Sequence, residues 1–283
     1  MELSTQFKFQ KRGRNGVKMG KSILYAKNTA ELIKILTNNP GTKVVGGCTR
    51  IDTLPEKFIS TYGIEDLSHI SRHERYIDVG PGTTLSELLA IGQTHLPPIL
   101  FEALNCIANP IIRNTATIGG NICSENHKLT LFAPLMALDA KLEFKNQTET
   151  RTENIRYFKN VPEGFILSNI RIPLVDAELS IFRRVGPEHT ITQQSASFAF
   201  LADTEKNSLL NVHLAFAGPF TFHSKEFENF MSGRRLPLTQ KDITQLEDFV
   251  AEQFQKAATD QMITDVMRQQ FFNLARYSFE QLT

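Results

Sequence analysis

Two short stretches of the chain carry the residue types best suited to holding an anion: Thr117-Ile118-Gly119-Gly120-Asn121 and Val45-Gly46-Gly47-Cys48-Thr49. Adjacent glycines permit positive φ and let a ligand approach the backbone without meeting a Cβ. A threonine hydroxyl and an asparagine carboxamide flank the later pair and supply the groups that complete an anion cradle. One such stretch means little. Two of them, each at the end of an apolar run, point to a phosphate-bearing cofactor held between two loops.

Other reactive side chains are sparse. Cys48, Cys106 and Cys123 are far apart, with no Cys-x-x-Cys and no Cys/His cluster of zinc or iron–sulfur spacing, so no metal of the chain's own is expected. Cys48 and Cys123 lie inside the glycine motifs, where a small packing role outweighs redox chemistry. His127 reads either as a neighbour of the cofactor or as an exposed loop histidine. Arg183 and Arg184 are adjacent on a strand and face opposite sides, so one of the two can reach a bound group. Glu125 and Glu188 are loop carboxylates with no assigned role, and no general acid–base constellation is visible.

The elements around the glycines explain how they are held. Residues 23–26 read as a strand, Asn28 or Thr29 as the cap of a helix through Leu36, and Lys43-Val44-Val45 as the next strand, which delivers Gly46 and Gly47. This β-α-β order puts the first loop at a strand's C-terminal end, where α/β proteins commonly bind ligands. A strand at 76–79, a helix from Leu85 capped by Thr83 or Thr84, and a helical segment from Pro97 to about Ile107 lead to the second loop. A helix at 131–139 and strands at 141–144 and 165–173 follow, the last closed by Pro173. From about Asp176 the pattern changes to three antiparallel strands (179–185, 196–201 and 212–217) and two helices (238–258 and 262–279), an α+β arrangement.

Composition sets the outer limits. At 283 residues the chain is long enough for two domains, and 41% hydrophobic with 22% charged residues is ordinary globular composition. A formal net charge of +1 gives no reason to expect nucleic acid or an anionic membrane as partner. No apolar run approaches bilayer length and no signal-peptide core is seen, so a cytoplasmic location is expected. Residues 1–21 are basic and aperiodic and read as a solvated tail, and the 21 phenylalanines read as core filler.

The two glycine motifs, in this order and in these flanks, resemble the FAD-binding medium subunit of the molybdenum hydroxylases, the family of xanthine and carbon monoxide dehydrogenases. The resemblance takes in the Gly-Gly loop after a strand (Val45 to Thr49) and the Ile112-Arg113-Asn114 stretch leading to Thr117-Ile118-Gly119-Gly120-Asn121. It continues through Ala137-Leu138-Asp139-Ala140, Ile170-Arg171-Ile172-Pro173, Phe182-Arg183-Arg184-Val185-Gly186 and Leu214-Ala215-Phe216-Ala217-Gly218-Pro219.

It implies an α+β fold: a two-lobed FAD-binding domain of the vanillyl-alcohol-oxidase type over residues 1–175, with lobes at about 20–75 and 76–175. A small domain with a three-stranded antiparallel sheet and helices follows over 176–283. It also implies that the amides of Gly46, Gly47, Cys48 and Thr49 hold the FAD pyrophosphate, with Val45, Arg50 and Ile51 alongside. Thr117, Gly120 and Asn121 form the opposing half, Cys123 and Ser124 lie just beyond, Ile107 and Ala108 fall near the flavin ring, and Arg183 matches a basic position that tunes its potential. Where the family usually carries a Ser-Pro…Asp segment, this chain has Asn126, His127 and Thr130, so a hydroxyl stands in place of a carboxylate.

The function implied is electron transfer from a 2Fe-2S small subunit, itself fed by a molybdopterin-binding large subunit, through FAD to NAD or another acceptor. No NAD fingerprint of the chain's own is visible. The alternatives are a stand-alone FAD oxidoreductase of the same superfamily and a flavin-free scaffold subunit.

Overall fold

The computed structural model describes residues 7–8, 22–51, 53–187, 190–258 and 263–283. Three sheets follow one another along the chain. The first contains β1 (Phe7–Lys8), β2 (Ser22–Leu24), β3 (Lys43–Val45) and β4 (Lys57–Ser60) in the order β1-β2-β4-β3, with helix α1 (Thr29–Asn38) between β2 and β3. β2 and β3 both run parallel to β4. The expected strand–helix–strand order is therefore present, with β4, a strand not anticipated from the sequence, lying between β2 and β3. Asn28 caps α1 by accepting from the Glu31 amide at 2.9 Å. Phe7 and Lys8 pair with Ile23 and Ser22, so part of the expected tail joins the sheet; the rest of residues 1–21 lies outside the described residues, as does Glu188.

The second sheet has the order β5-β6-β9-β7-β8, from β5 (Ile70–Arg72), β6 (Tyr76–Val79), β7 (Lys141–Lys145), β8 (Thr150–Asn154) and β9 (Ile166–Pro173). Between β6 and β7 come helices α2 (Leu85–Ala90), α3 (Pro98–Asn105), α4 (Pro110–Arg113), α5 (Ile118–Ile122) and α6 (Phe132–Ala137). Thr84 and Glu87 form a reciprocal capping box on α2. α6 is buried at every position, which fits its apolar sequence.

The third sheet holds the three strands expected, β10 (Leu179–Val185), β11 (Ala196–Glu205) and β12 (Ser208–Ala217). A short edge strand, β13 (Thr221–His223), is added after Gly218-Pro219. Helices α7 (Lys225–Met231), α8 (Gln240–Ala257) and α9 (Asp265–Glu280) cover it. Their shared core is rich in phenylalanine: Phe254 and Phe271 stack with centroids 4.3 Å apart, and Phe198, Phe200, Phe216, Phe222 and Phe279 are buried around them.

A buried ion cluster joins the second and third layers. Arg156, which follows β8, places Nη1 2.8 Å from Glu228 of α7 and Nε 2.7 Å from Asp139. His213 Nδ1 lies 2.8 Å from Glu228, and Lys225 Nζ lies 3.2 Å from it. Burial pushes the Glu228 carboxyl up, but hydrogen bonds from His213 and Arg156 and their charges outweigh it and hold the group at about 2.

Candidate functional site

The first glycine loop begins where β3 leaves the sheet. Val45 is buried, and its carbonyl accepts from the Thr61 amide at 2.9 Å, the last bond of the parallel ladder. Beyond it, the backbone N–H groups of Gly46, Gly47, Cys48, Thr49 and Arg50 meet no acceptor among the described residues. Cys48 adopts φ +54, a left-handed residue of the kind that makes anion-binding turns of successive amides. The left-handed residue is thus the cysteine, and neither glycine of the pair has positive φ.

The glycines are needed for a different reason. A Cβ on Gly47 would stand 1.7 Å from the Thr115 carbonyl oxygen, and one on Gly46 would stand 2.8 Å from Thr117 Oγ1. The two motifs touch, and the absent side chains are what lets them touch.

The second motif is a helical turn where a loop was expected. Thr117 caps α5 by accepting from the Gly120 amide at 3.1 Å. The Ile118 amide donates to Thr83, that of Gly119 to Pro81 and that of Asn121 to Thr117. All four amides are engaged within the protein. What this element offers a ligand is side chains: the Thr117 hydroxyl hydrogen, and the Asn121 Nδ2, since Asn121 Oδ1 accepts from the Leu131 amide at 3.1 Å. Upstream, Arg113 Nη1 donates to the carbonyls of both Ile107 and Ala108 at 2.8 Å, locking a turn in which Ala108 has φ +46.

A cavity of about 1040 Å³ opens beside the contact between the motifs, walled by Thr42, Gly46, Thr117, Gly120, Cys123 and the segment 160–167. That is the upper end of the range for a small-molecule site. Lys43 and Glu125 form a 2.9 Å ion pair in its lining; both are largely exposed, so the pair contributes little stability. Burial pushes the Cys123 thiol up to about 12, with the charge of Lys128 opposing, and burial also raises Cys48. These thiols are protonated at neutral pH and are poor nucleophiles. The arrangement offers backbone and hydroxyl donors suited to an anion and, among the described residues, no group of side chains able to hold a metal.

A model of the FAD binding domain in molybdopterin dehydrogenase matches residues 17–175. The chain belongs to this family.

Its cofactor is accordingly FAD; the amides of residues 46–50, without an acceptor among the described residues, are donors of the kind a phosphate group takes, and Gly46 stands in the wall of the large cavity. Among relatives, the chain is 31% identical over 147 residues to the xanthine dehydrogenase FAD-binding subunit of Escherichia coli O157:H7, covering 48% of this chain and 50% of that one. It is 22% identical to the glyceraldehyde dehydrogenase medium chain of Sulfolobus acidocaldarius, over 76% of this chain and 82% of the relative. The aligned part thus spans about half the length of the first of these. The fold is that of the Cu,Mo-CO dehydrogenase in its cyanide-inactivated form: TM-score 0.75 at 18% identity, covering 92% of this chain and 95% of the other. The carbon monoxide dehydrogenase of Hydrogenophaga pseudoflava gives a TM-score of 0.74 at 17% identity, over 92% and 94%.

The remaining residues singled out in the sequence of this FAD-binding chain fall in several places. Ile51 is 40% exposed at the end of the first loop, Ile107 is buried beneath the turn held by Arg113, and Ala108 is exposed. Ser124 is half-buried, and its carbonyl accepts from Lys128 Nζ at 3.5 Å. Thr130 is buried and lines a second, very small cavity with His127, Arg184, Ile191 and Ser195.

Arg183 lies with its guanidinium 5.9 Å from the Tyr277 ring centre and donates to the Phe182 carbonyl at 2.7 Å. Arg184, not Arg183, lines the small cavity, and it donates to the carbonyls of Pro187 and Thr190. Arg50 Nη2 donates to the Ile191 carbonyl at 3.2 Å, tying the first loop to the segment between β10 and β11. Sequence reasoning missed the roles of Arg113 and Arg184, because both act on carbonyls of nearby irregular turns that carry no periodic or capping signal.

Among the described residues, no helix is long and apolar enough to cross a membrane.

Proposed function

We propose that this chain is the FAD-binding electron-transfer subunit of a xanthine-dehydrogenase-like molybdenum hydroxylase. It would work beside a molybdopterin-binding large subunit and a 2Fe-2S small subunit, in the cytoplasm, and pass electrons to NAD or another acceptor. The observation that carries the reading is the run of five amides at residues 46–50 with no acceptor among the described residues, its first member, Gly46, in the wall of a cavity of about 1040 Å³. The bound FAD supplies a ring that takes electrons singly and releases them in pairs.

The chain's own residues bind and orient. The amides of Gly46, Gly47, Cys48, Thr49 and Arg50 hold the pyrophosphate, with Val45 and Ile51 fixing the two ends of the loop. Thr117 and Asn121 add a hydroxyl and an amide donor from α5, and Gly120 keeps the cavity wall low. Cys123, Ser124 and Thr130 shape the walls. Ile107 and Ala108, held by Arg113, present an apolar turn to the flavin ring, and Arg183 and Arg184 bring positive charge to the side formed by the third sheet. The division near residue 175, with lobes at about 20–75 and 76–175, is supported by the family match ending there and by a separate aromatic core beyond it.

Purification of the native assembly tests the reading. Co-isolation with an iron–sulfur and a molybdopterin chain, and bleaching of the flavin absorption when the molybdenum substrate is added anaerobically, are expected. A colourless protein that takes up no added FAD, or one that is isolated and turns over alone, would overturn it.

A further inference from the structure

His127 is 8% exposed, yet its Nδ1 is buried with no hydrogen-bond partner among the described residues. Of the two readings the sequence leaves open, a neighbour of the cofactor and an exposed loop histidine, the fold excludes the second. The ring lines a cavity of about 10 Å³, room for a single small polar group, together with Thr130, Arg184, Ile191 and Ser195. Asn126 lines the large cavity and His127 the small one, so the chain passes from one to the other between consecutive residues.

The charged groups facing His127 are donors already in use. Arg184 donates to the carbonyls of Pro187 and Thr190, and Arg50 donates to that of Ile191. Burial lowers the His127 pKa; contact with the Ser195 backbone opposes this, and the charge of Arg50 adds to it. The ring is therefore neutral at neutral pH. With its proton held toward the Ser195 backbone, Nδ1 is an acceptor with nothing in the described chain to accept from.

Arg50 is also the last residue of the amide run, so the loop that holds the pyrophosphate reaches the wall of this small cavity. A buried acceptor left unmatched is costly to the folded state, and native structures almost always supply its partner. We propose that His127 Nδ1 accepts a hydrogen bond from a hydroxyl or N–H of bound FAD, making His127 a binding and positioning residue of the flavin site. The inference rests on the reading that FAD lies against residues 46–50.

The test uses the full chain, with His127→Phe to remove the acceptor and keep a flat ring, and His127→Asn to restore an oxygen near the Nδ1 position. FAD affinity is measured by quenching of flavin fluorescence, with the bound-flavin absorption spectrum and the urea midpoint of the FAD-free protein alongside. The expected result is a roughly ten-fold or greater loss of affinity for H127F, with an altered flavin spectrum and an unlowered urea midpoint. H127N is expected to stay within about three-fold of the original affinity. Unchanged FAD affinity in H127F would show that Nδ1 serves a buried water only and would overturn the proposal. So would an equal loss in both variants, which would mark a packing role. A parent protein that fails to bind FAD would sink the proposed function itself, a different result from a parent that binds and an H127F variant that binds equally well.

Discussion

Replacing Glu228 by glutamine removes one charge from the cluster that joins the second sheet to α7. Glu228 has only 5% of its side chain exposed, and Arg156 opposite it has 7%. Its carboxyl is held at about 2 against an ordinary 4.5, and a shift of that size at ~1.4 kcal/mol per unit is on the order of 3 kcal/mol. That lies at the low end for breaking a buried pair, because Arg156 keeps Asp139 at 2.7 Å.

The sign follows from the direction of the shift. A depressed carboxylate contributes fully above pH 4.5, and the contribution is lost as pH falls from 4.5 toward 2. Urea unfolding at a series of pH values, followed by circular dichroism, should therefore show Glu228→Gln less stable by ~3 kcal/mol at pH 7. The gap to the parent should close progressively below pH 4.5. A gap below ~1 kcal/mol at pH 7, or one that does not change with pH, would refute the reasoning.

Two other outcomes are expected. Gly47→Ala places a Cβ 1.7 Å from the Thr115 carbonyl, so the two motifs must part by more than an ångström. FAD affinity should fall more than ~ten-fold, with a stability loss of ~1–3 kcal/mol in thermal melts, and unchanged FAD binding would show that the contact between motifs does not shape the site. Cys123, whose thiol is pushed up to about 12, should react with iodoacetamide at pH 8 more slowly than the exposed Cys48 and Cys106, whose thiols burial raises less, as peptide mass spectrometry would show. Modification of Cys123 at the rate of the other two would contradict the placement.

The fold was legible in the sequence where local signals agreed. Asn28 and Thr84, each among the cap candidates, cap the helix that follows, and the strands expected at 179–185 and 196–201 are present. β4 was not, because Lys57-Phe58-Ile59-Ser60 is short and owes its place to pairing on both sides with β2 and β3. Thr117 to Asn121 was read as a loop because of its glycines. It folds as a helical turn because Thr117 supplies the cap, and Gly119 gives room for Pro81, against which a Cβ would stand at 2.6 Å.

The site was legible as a pairing of motifs but not in its division of labour. Among the described residues, the amides without an acceptor in the two motifs lie on the first loop, and the second has only side-chain donors to offer. Nor could residue types alone show that His127 is buried beside Arg184, since the segment carrying Ser195 closes over it only in the tertiary fold.

The most direct test of the central claim is an equilibrium titration of the full chain with FAD, followed by flavin fluorescence, with FMN as the comparison ligand. Five successive amides should engage a pyrophosphate better than a single phosphate. Saturation at one FAD per chain, FAD binding more tightly than FMN, and competition by ADP are the results the account predicts. Absence of saturable FAD binding, or FMN binding as tightly as FAD, would contradict it.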